Sequence, residues 1–187
     1  DVAALADAGL TAYHAVRKAA ASLRPGDVCV MIGAGGLGHI GIQVLKAISA
    51  ATLVVVDRNP AAVELAVSIG ADHGIVADGT QVQQVLELTG GAQAVIDFVG
   101  EGGATAEGVA MLRRAGNYYV VGYGENLDVP TIDIKNGTAS AIPIGSRSES
   151  PASSFLAERS SARRSPAEER APVSLLPGPP AGSGWSS

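Results

Sequence analysis

The chain has 187 residues, 47% hydrophobic and 17% charged, with a formal net charge of -5, which fits one well-cored α/β domain and excludes a largely disordered chain. The acidic balance and the lack of basic clusters in the apolar part argue against a nucleic-acid or anionic-membrane partner. No apolar run reaches bilayer-spanning length, and the lone Cys29 excludes an internal disulfide framework, so a cytoplasmic protein is expected, with any targeting segment lying before Asp1.

Leu5 to Ala21 reads as a helix, and Arg24-Pro25-Gly26-Asp27 as the turn that feeds the first strand. That strand, Val28 to Ile32, carries Cys29 as a small core hydrophobe and runs straight into Gly33-Ala34-Gly35-Gly36-Leu37-Gly38, a G-x-G-x-x-G turn. In the helix that follows, Leu37, Ile40, Val44 and Ile48 recur at helical spacing and predict an apolar stripe facing a sheet. Leu53 to Val56 form a second strand closed by Asp57. Asn59-Pro60 is an N-cap and first-turn pair and Gly70 a stop, which together bracket another helix. A strand over His73 to Ala77 and a helix over Gln81 to Thr89, closed by Gly90-Gly91, come next. The strand Ala94 to Val99, a helix from about Ala104 to Arg113 and the strand Tyr118 to Val121 complete the series.

Strands separated by helices require crossover connections, which are right-handed and give a parallel sheet covered on both faces. The fold class predicted is therefore a Rossmann-type, doubly wound α/β sheet. Ligands of such sheets sit outside the carboxyl ends of the strands, which gathers Gly33 to Gly38, Asp57, Phe98 to Gly100 and Val121 to Tyr123 around one crevice.

The Gly-rich turn with its preceding strand, following helix and an acid about twenty residues on reads as a dinucleotide site. Gly33 permits the tight turn, Gly35 lets backbone approach a pyrophosphate, and Gly38 brings the helix close to the sheet, while the amides at Gly36 and Leu37 open the helix toward the anion. Asp57 is placed to accept from the adenosine ribose hydroxyls and to repel a 2′-phosphate. At about 4 Å and an effective dielectric near 20 that repulsion is roughly 4 kcal/mol before screening. NAD is therefore favoured over NADP. Arg58 either stacks on adenine or receives part of a phosphate, or is a solvated loop charge. His39 either bonds the pyrophosphate or packs near the turn, and His14 and His73 receive no catalytic role.

Beyond Ile134 the texture changes: residues 135 to 187 hold 13 serines, seven of the ten prolines and no aspartate. The organisation expected is a dinucleotide-binding domain over residues 1–134 and a low-complexity tail over 135–187, disordered or translated out of frame. Ala141-Ile142-Pro143-Ile144 is the tail's one apolar run, and its proline counts against a strand.

Three segments together resemble the nucleotide-binding domain of the zinc-dependent medium-chain alcohol dehydrogenases, in particular the bacterial branch acting on secondary alcohols and aryl carbonyls. They are Ala6-Asp7-Ala8-Gly9-Leu10-Thr11-Ala12-Tyr13-His14-Ala15-Val16, then Arg24-Pro25-Gly26-Asp27 with the Gly-rich turn, then Val95-Ile96-Asp97-Phe98-Val99-Gly100. The resemblance implies NAD as cofactor, a catalytic zinc with Asp7 as its one ligand in this chain, and a small alcohol or ketone as substrate. Carboxylate oxygens suit Zn²⁺ at about 2.0 to 2.2 Å. It also implies that Thr11 packs beside the nicotinamide as the catalytic-site residue of this chain, and that Phe98, Val99, Val121 and Gly122 help hold the cofactor. In such enzymes zinc polarises the alcohol and hydride passes to the nicotinamide. Intact relatives are implied to be homo-oligomers, and the sheet here is expected to be incomplete at its sixth strand. The chain alone is expected to be inactive, because the other zinc ligands belong to a catalytic domain it does not contain. The alternatives are a zinc-free quinone reductase of the same superfamily, or a non-catalytic NAD-sensing module.

Overall fold

The computed structural model describes residues 5–122, 124, 126 and 141–143. The chain divides into two units, Asp1–Ser146 and Arg147–Ser187, and all described residues belong to the first. The expectations for the tail, apart from Ala141–Pro143, and for Tyr123 lie outside the described residues.

The helix expected over Leu5 to Ala21 is divided into a π-helical turn, Leu5–Gly9, and α1, Leu10–Ala20. The junction falls at Gly9, whose low helix propensity suits a change of winding. The remaining elements are β1 (Val28–Ile32), α2 (Gly36–Ile48), β2 (Thr52–Asp57), α3 (Pro60–Ser68), β3 (His73–Val76), α4 (Gln81–Thr89), β4 (Ala92–Asp97), α5 (Ala104–Ala110), β5 (Leu112–Val120) and β6 (Ala141–Pro143). The strands lie in the order β3-β2-β1-β4-β5-β6, all parallel. The order reverses beside β1, the point at which doubly wound sheets open a ligand crevice.

Period-two burial builds the core. Cys29, Met31, Leu53, Val55, Ala94, Ile96 and Tyr119 face one side with α1 and α2, while Val30, Ile32, Val54, Val56, Val95 and Tyr118 face the other with α4 and α5. A fully buried aliphatic side chain contributes about 1.5–3 kcal/mol, and the central strands contribute to both layers. Local signals agree with the helix ends. Asn59 Oδ1 accepts from the Ala61 amide at 3.0 Å with Pro60 in the first turn, and Gly90 closes α4 at φ +72°.

The α2 stripe differs from the predicted one. Gly38, Gly41, Ile42 and Leu45 are buried, whereas Ile48 is 47% exposed. The cause is that two glycines make the contact surface: a Cβ on Gly38 would meet the Gly33 carbonyl, and one on Gly41 would meet the Phe98 ring at 3.0 Å. Apolar periodicity does not register glycines as packing residues.

The sheet also differs at its edge. Instead of lacking a sixth strand, it has one of three residues, with Tyr118, Tyr119 and Val120 paired to Ala141, Ile142 and Pro143. An edge strand needs ladder hydrogen bonds on one side only, so a proline at its last residue is tolerated. β5 begins earlier than predicted, at Leu112, and α5 ends earlier, at Ala110. A register shift between Ala92 and Ala94 absorbs the additional β5 residues, around Ala115 at φ 61°.

Candidate functional site

The carboxyl ends of β1, β2 and β4 and the first turn of α2 surround one crevice. Gly33 leaves β1 with φ +94°, and a Cβ there would lie 2.8 Å from Val99 Cγ2. Gly35 is the extended N-cap of α2, and a Cβ on Gly35 or Gly36 would meet nothing within 4 Å. The first amides of a helix lack intrahelical acceptors, so the open space before this turn suits an anion, and the residues present fit a dinucleotide pyrophosphate. A crevice of about 510 Å³ brings together Gly33, Gly35, Gly36, Leu37, Gly38, Asp57, Phe98 and Val99, with Ala8 of the π turn at its wall.

Asp57 closes β2 and is held from two directions. Its Oδ2 accepts from the Ala34 amide at 2.7 Å and its Oδ1 from the Asn59 amide at 2.8 Å. Each oxygen keeps further acceptor capacity for a ribose hydroxyl. Arg58 is not a free loop charge: its Nη2 donates to the Gly102 carbonyl at 2.7 Å, tying the β2–α3 loop to the β4–α5 loop. A smaller cleft of about 130 Å³ lies between them, lined by Asp57, Arg58, Glu101 and Glu107 among others. Three carboxylates there disfavour an added phosphate.

Asp7 is exposed on the π turn and Thr11 half-buried on α1. No group of three or more His, Cys, Asp or Glu capable of holding a metal forms among the described residues, so those residues do not fit a complete catalytic zinc site. His39 has a buried Nε2 with no hydrogen-bond partner among the described residues, while His14 and His73 are exposed. The Cys29 thiol, pushed up to about 12 by burial, stays protonated and acts as a core hydrophobe.

Val121 and Gly122 follow the end of β5 and lie against the loop after β4. Their amides donate to the Asp97 carbonyl at 2.8 and 3.0 Å, and a Cβ on Gly122 would lie 2.3 Å from the Val99 carbonyl carbon. Asp97, which lies within the Val95–Gly100 segment, has no role legible from the sequence alone. It is fully buried, and its side chain holds the loop after β4. Its one sequence signal is that of Asp57, a carboxylate closing an apolar strand.

The profile of the zinc-binding dehydrogenase family matches residues 36–158. The chain is 39% identical over 127 residues to an NAD-dependent alcohol dehydrogenase of Sulfolobus acidocaldarius, a match covering 66% of this chain and 36% of that protein. It is 33% identical over 144 residues to an alcohol dehydrogenase of Geobacillus stearothermophilus, covering 74% of this chain and 41% of that protein. The crystal structure of an alcohol dehydrogenase from Aeropyrum pernix superposes with a TM-score of 0.75 at 39% identity, over 86% of this chain and 48% of that one. The chain thus spans well under two thirds of the length of these relatives.

Proposed function

The chain belongs to the zinc-binding dehydrogenase family, and from that premise we propose that it is the NAD-binding part of an alcohol dehydrogenase that moves hydride between a secondary alcohol or aryl carbinol and NAD. One observation carries this reading: the Ala34 amide of the Gly-rich turn donates to Asp57 at 2.7 Å, so the pyrophosphate cradle and the ribose acceptor form a single unit. The name of the Sulfolobus relative, an NAD-dependent alcohol dehydrogenase, supports the same choice of cofactor.

In this reading Gly33, Gly35, Gly36, Leu37 and Gly38 hold the pyrophosphate and Asp57 the adenosine ribose, with Arg58 fixing the loop beside it. Phe98, Val99, Val121 and Gly122 line the nicotinamide end, and Thr11 packs beside the ring. Bound NAD supplies a C4 that accepts hydride; the chain orients it and shields one end from water. Asp7 supplies one zinc ligand, and no catalytic step follows from one carboxylate. The dinucleotide-binding part is assigned to residues 1–134. The partners proposed are a small alcohol or ketone and, in the intact enzyme, further copies of the chain, in the cytoplasm. A titration of NADH fluorescence with the purified chain tests the assignment: enhanced emission that saturates supports it, and unchanged emission opposes it.

A further inference from the structure

Asp97 is fully buried at the end of β4 and receives five hydrogen bonds from two different loops and a strand. Its Oδ1 accepts from the Val99 and Gly100 amides at 2.8 and 2.9 Å. Its Oδ2 accepts from the Tyr118 hydroxyl at 2.5 Å. Its carbonyl accepts from the Val121 and Gly122 amides at 2.8 and 3.0 Å. One residue thus fixes both the loop after β4 and the turn after β5.

The surroundings hold this arrangement in place. A Cβ on Gly108 of α5 would lie 2.6 Å from Tyr118 Cε2, so the missing side chain is what admits the ring. A Cβ on Gly33 would collide with Val99 and one on Gly122 with the Val99 carbonyl. Moving the Val99 loop therefore disturbs the Gly-rich turn and the β5 turn together. A buried carboxylate is retained only where its lone pairs are satisfied, and here two of the donors, the Val99 and Gly100 amides, come from the loop whose Val99 lines the crevice.

We propose that Asp97, acting with Tyr118, is a positioning residue that locks the β4–α5 loop to the turn after β5 and so shapes the nicotinamide end of the crevice. This rests on the NAD reading for its ligand, but the coupling itself is a property of the free chain. Tyr118→Phe removes one donor and keeps the ring against Gly108, whereas Asp97→Ala removes three acceptor contacts.

The experiment combines amide hydrogen exchange of the free chain with calorimetric titration of NAD and ADP-ribose, which shares all of NAD except nicotinamide. Tyr118→Phe is expected to lower protection about tenfold at Val99, Gly100, Val121 and Gly122 together, as loss of a buried hydrogen bond implies. In the same variant the preference for NAD over ADP-ribose should shrink, while ADP-ribose affinity stays within about twofold. Asp97→Ala should show both effects more strongly where it folds, and Asp97→Asn should restore most of the protection. Exchange that changes at Val99 and Gly100 alone would overturn the coupling, as would equal weakening of NAD and ADP-ribose. If the parent chain binds neither compound the NAD reading fails, and the exchange result still decides the coupling.

Discussion

A Cβ on Gly38 would lie 2.1 Å from the carbonyl oxygen of Gly33, so the start of α2 rests directly on the backbone of the turn that precedes it. Gly35, three residues earlier, has no such neighbour within 4 Å. The two glycines therefore fail differently. Gly38→Ala should destabilise the fold by about 1–3 kcal/mol, the usual cost of overpacking. Gly35→Ala should leave the melting temperature near that of the parent and weaken dinucleotide binding at least about tenfold, because its methyl occupies ligand space. Thermal melts beside calorimetric titrations of both variants check this; equal loss of stability in the two would contradict it.

Lys46 and Asp72 give a pH-dependent contribution near the amino ends of β2 and β3. Lys46 Nζ lies 3.0 and 2.9 Å from the two Asp72 oxygens, and the Leu53 amide donates to the same carboxylate at 2.8 Å. Partial burial alone would raise the Asp72 pKa, but the Leu53 amide and Lys46 outweigh it and hold the carboxyl below its ordinary value. The stabilisation is fully present above the unfolded value of about 3.9 and is lost as pH falls through the lower folded value. With both side chains more than a third exposed or nearly so, at 34% and 39%, Lys46→Ala should cost only about 0.5 kcal/mol after solvent screening. Urea unfolding at about pH 7 should reveal that difference, and it should shrink as the pH falls below the unfolded value and through the lower folded one. A difference that grows on acidification would refute the assignment.

Asp7 tests the zinc reading. After dialysis the 187-residue chain should retain no stoichiometric zinc and should not reduce NAD with secondary alcohols, since the described residues offer no cluster of three ligands. Metal analysis and an NADH absorbance assay check both points. Zinc-dependent turnover by this chain would show that the site is complete within it.

β6 covers one edge of β5 through Ala141, Ile142 and Pro143. A chain ending at Ile134 should therefore bare a hydrogen-bonding edge and associate more than the full chain. Sedimentation velocity of the two side by side decides this; identical distributions would mean that β6 protects nothing.

Much of the fold could be read from the sequence because its signals were local. Strand β1 feeding Gly33, the Asn59-Pro60 cap and the Gly90 stop each depend on residues adjacent in the chain. Asp57 was legible for the same reason, as a carboxylate closing an apolar strand. What escaped depends on contacts across the chain. Gly41 matters because Phe98 packs on it, Arg58 because Gly102 lies opposite, and Asp97 because Tyr118 reaches it from β5. The strand at Ala141–Pro143 escaped because its proline-containing run is short and its partner, Tyr118 to Val120, is distant in the chain.

The most direct test of the central claim is the affinity of the chain for NAD and for NADP, measured by calorimetry before and after Asp57→Ala. Asp57 is fixed by the Ala34 and Asn59 amides and faces the cleft that Glu101 and Glu107 also line. NAD should bind at least about tenfold more tightly than NADP, a difference of about 1.4 kcal/mol, and Asp57→Ala should narrow the gap mainly by weakening NAD. Equal or tighter binding of NADP by the unaltered chain, or a preference that survives Asp57→Ala unchanged, would contradict the account.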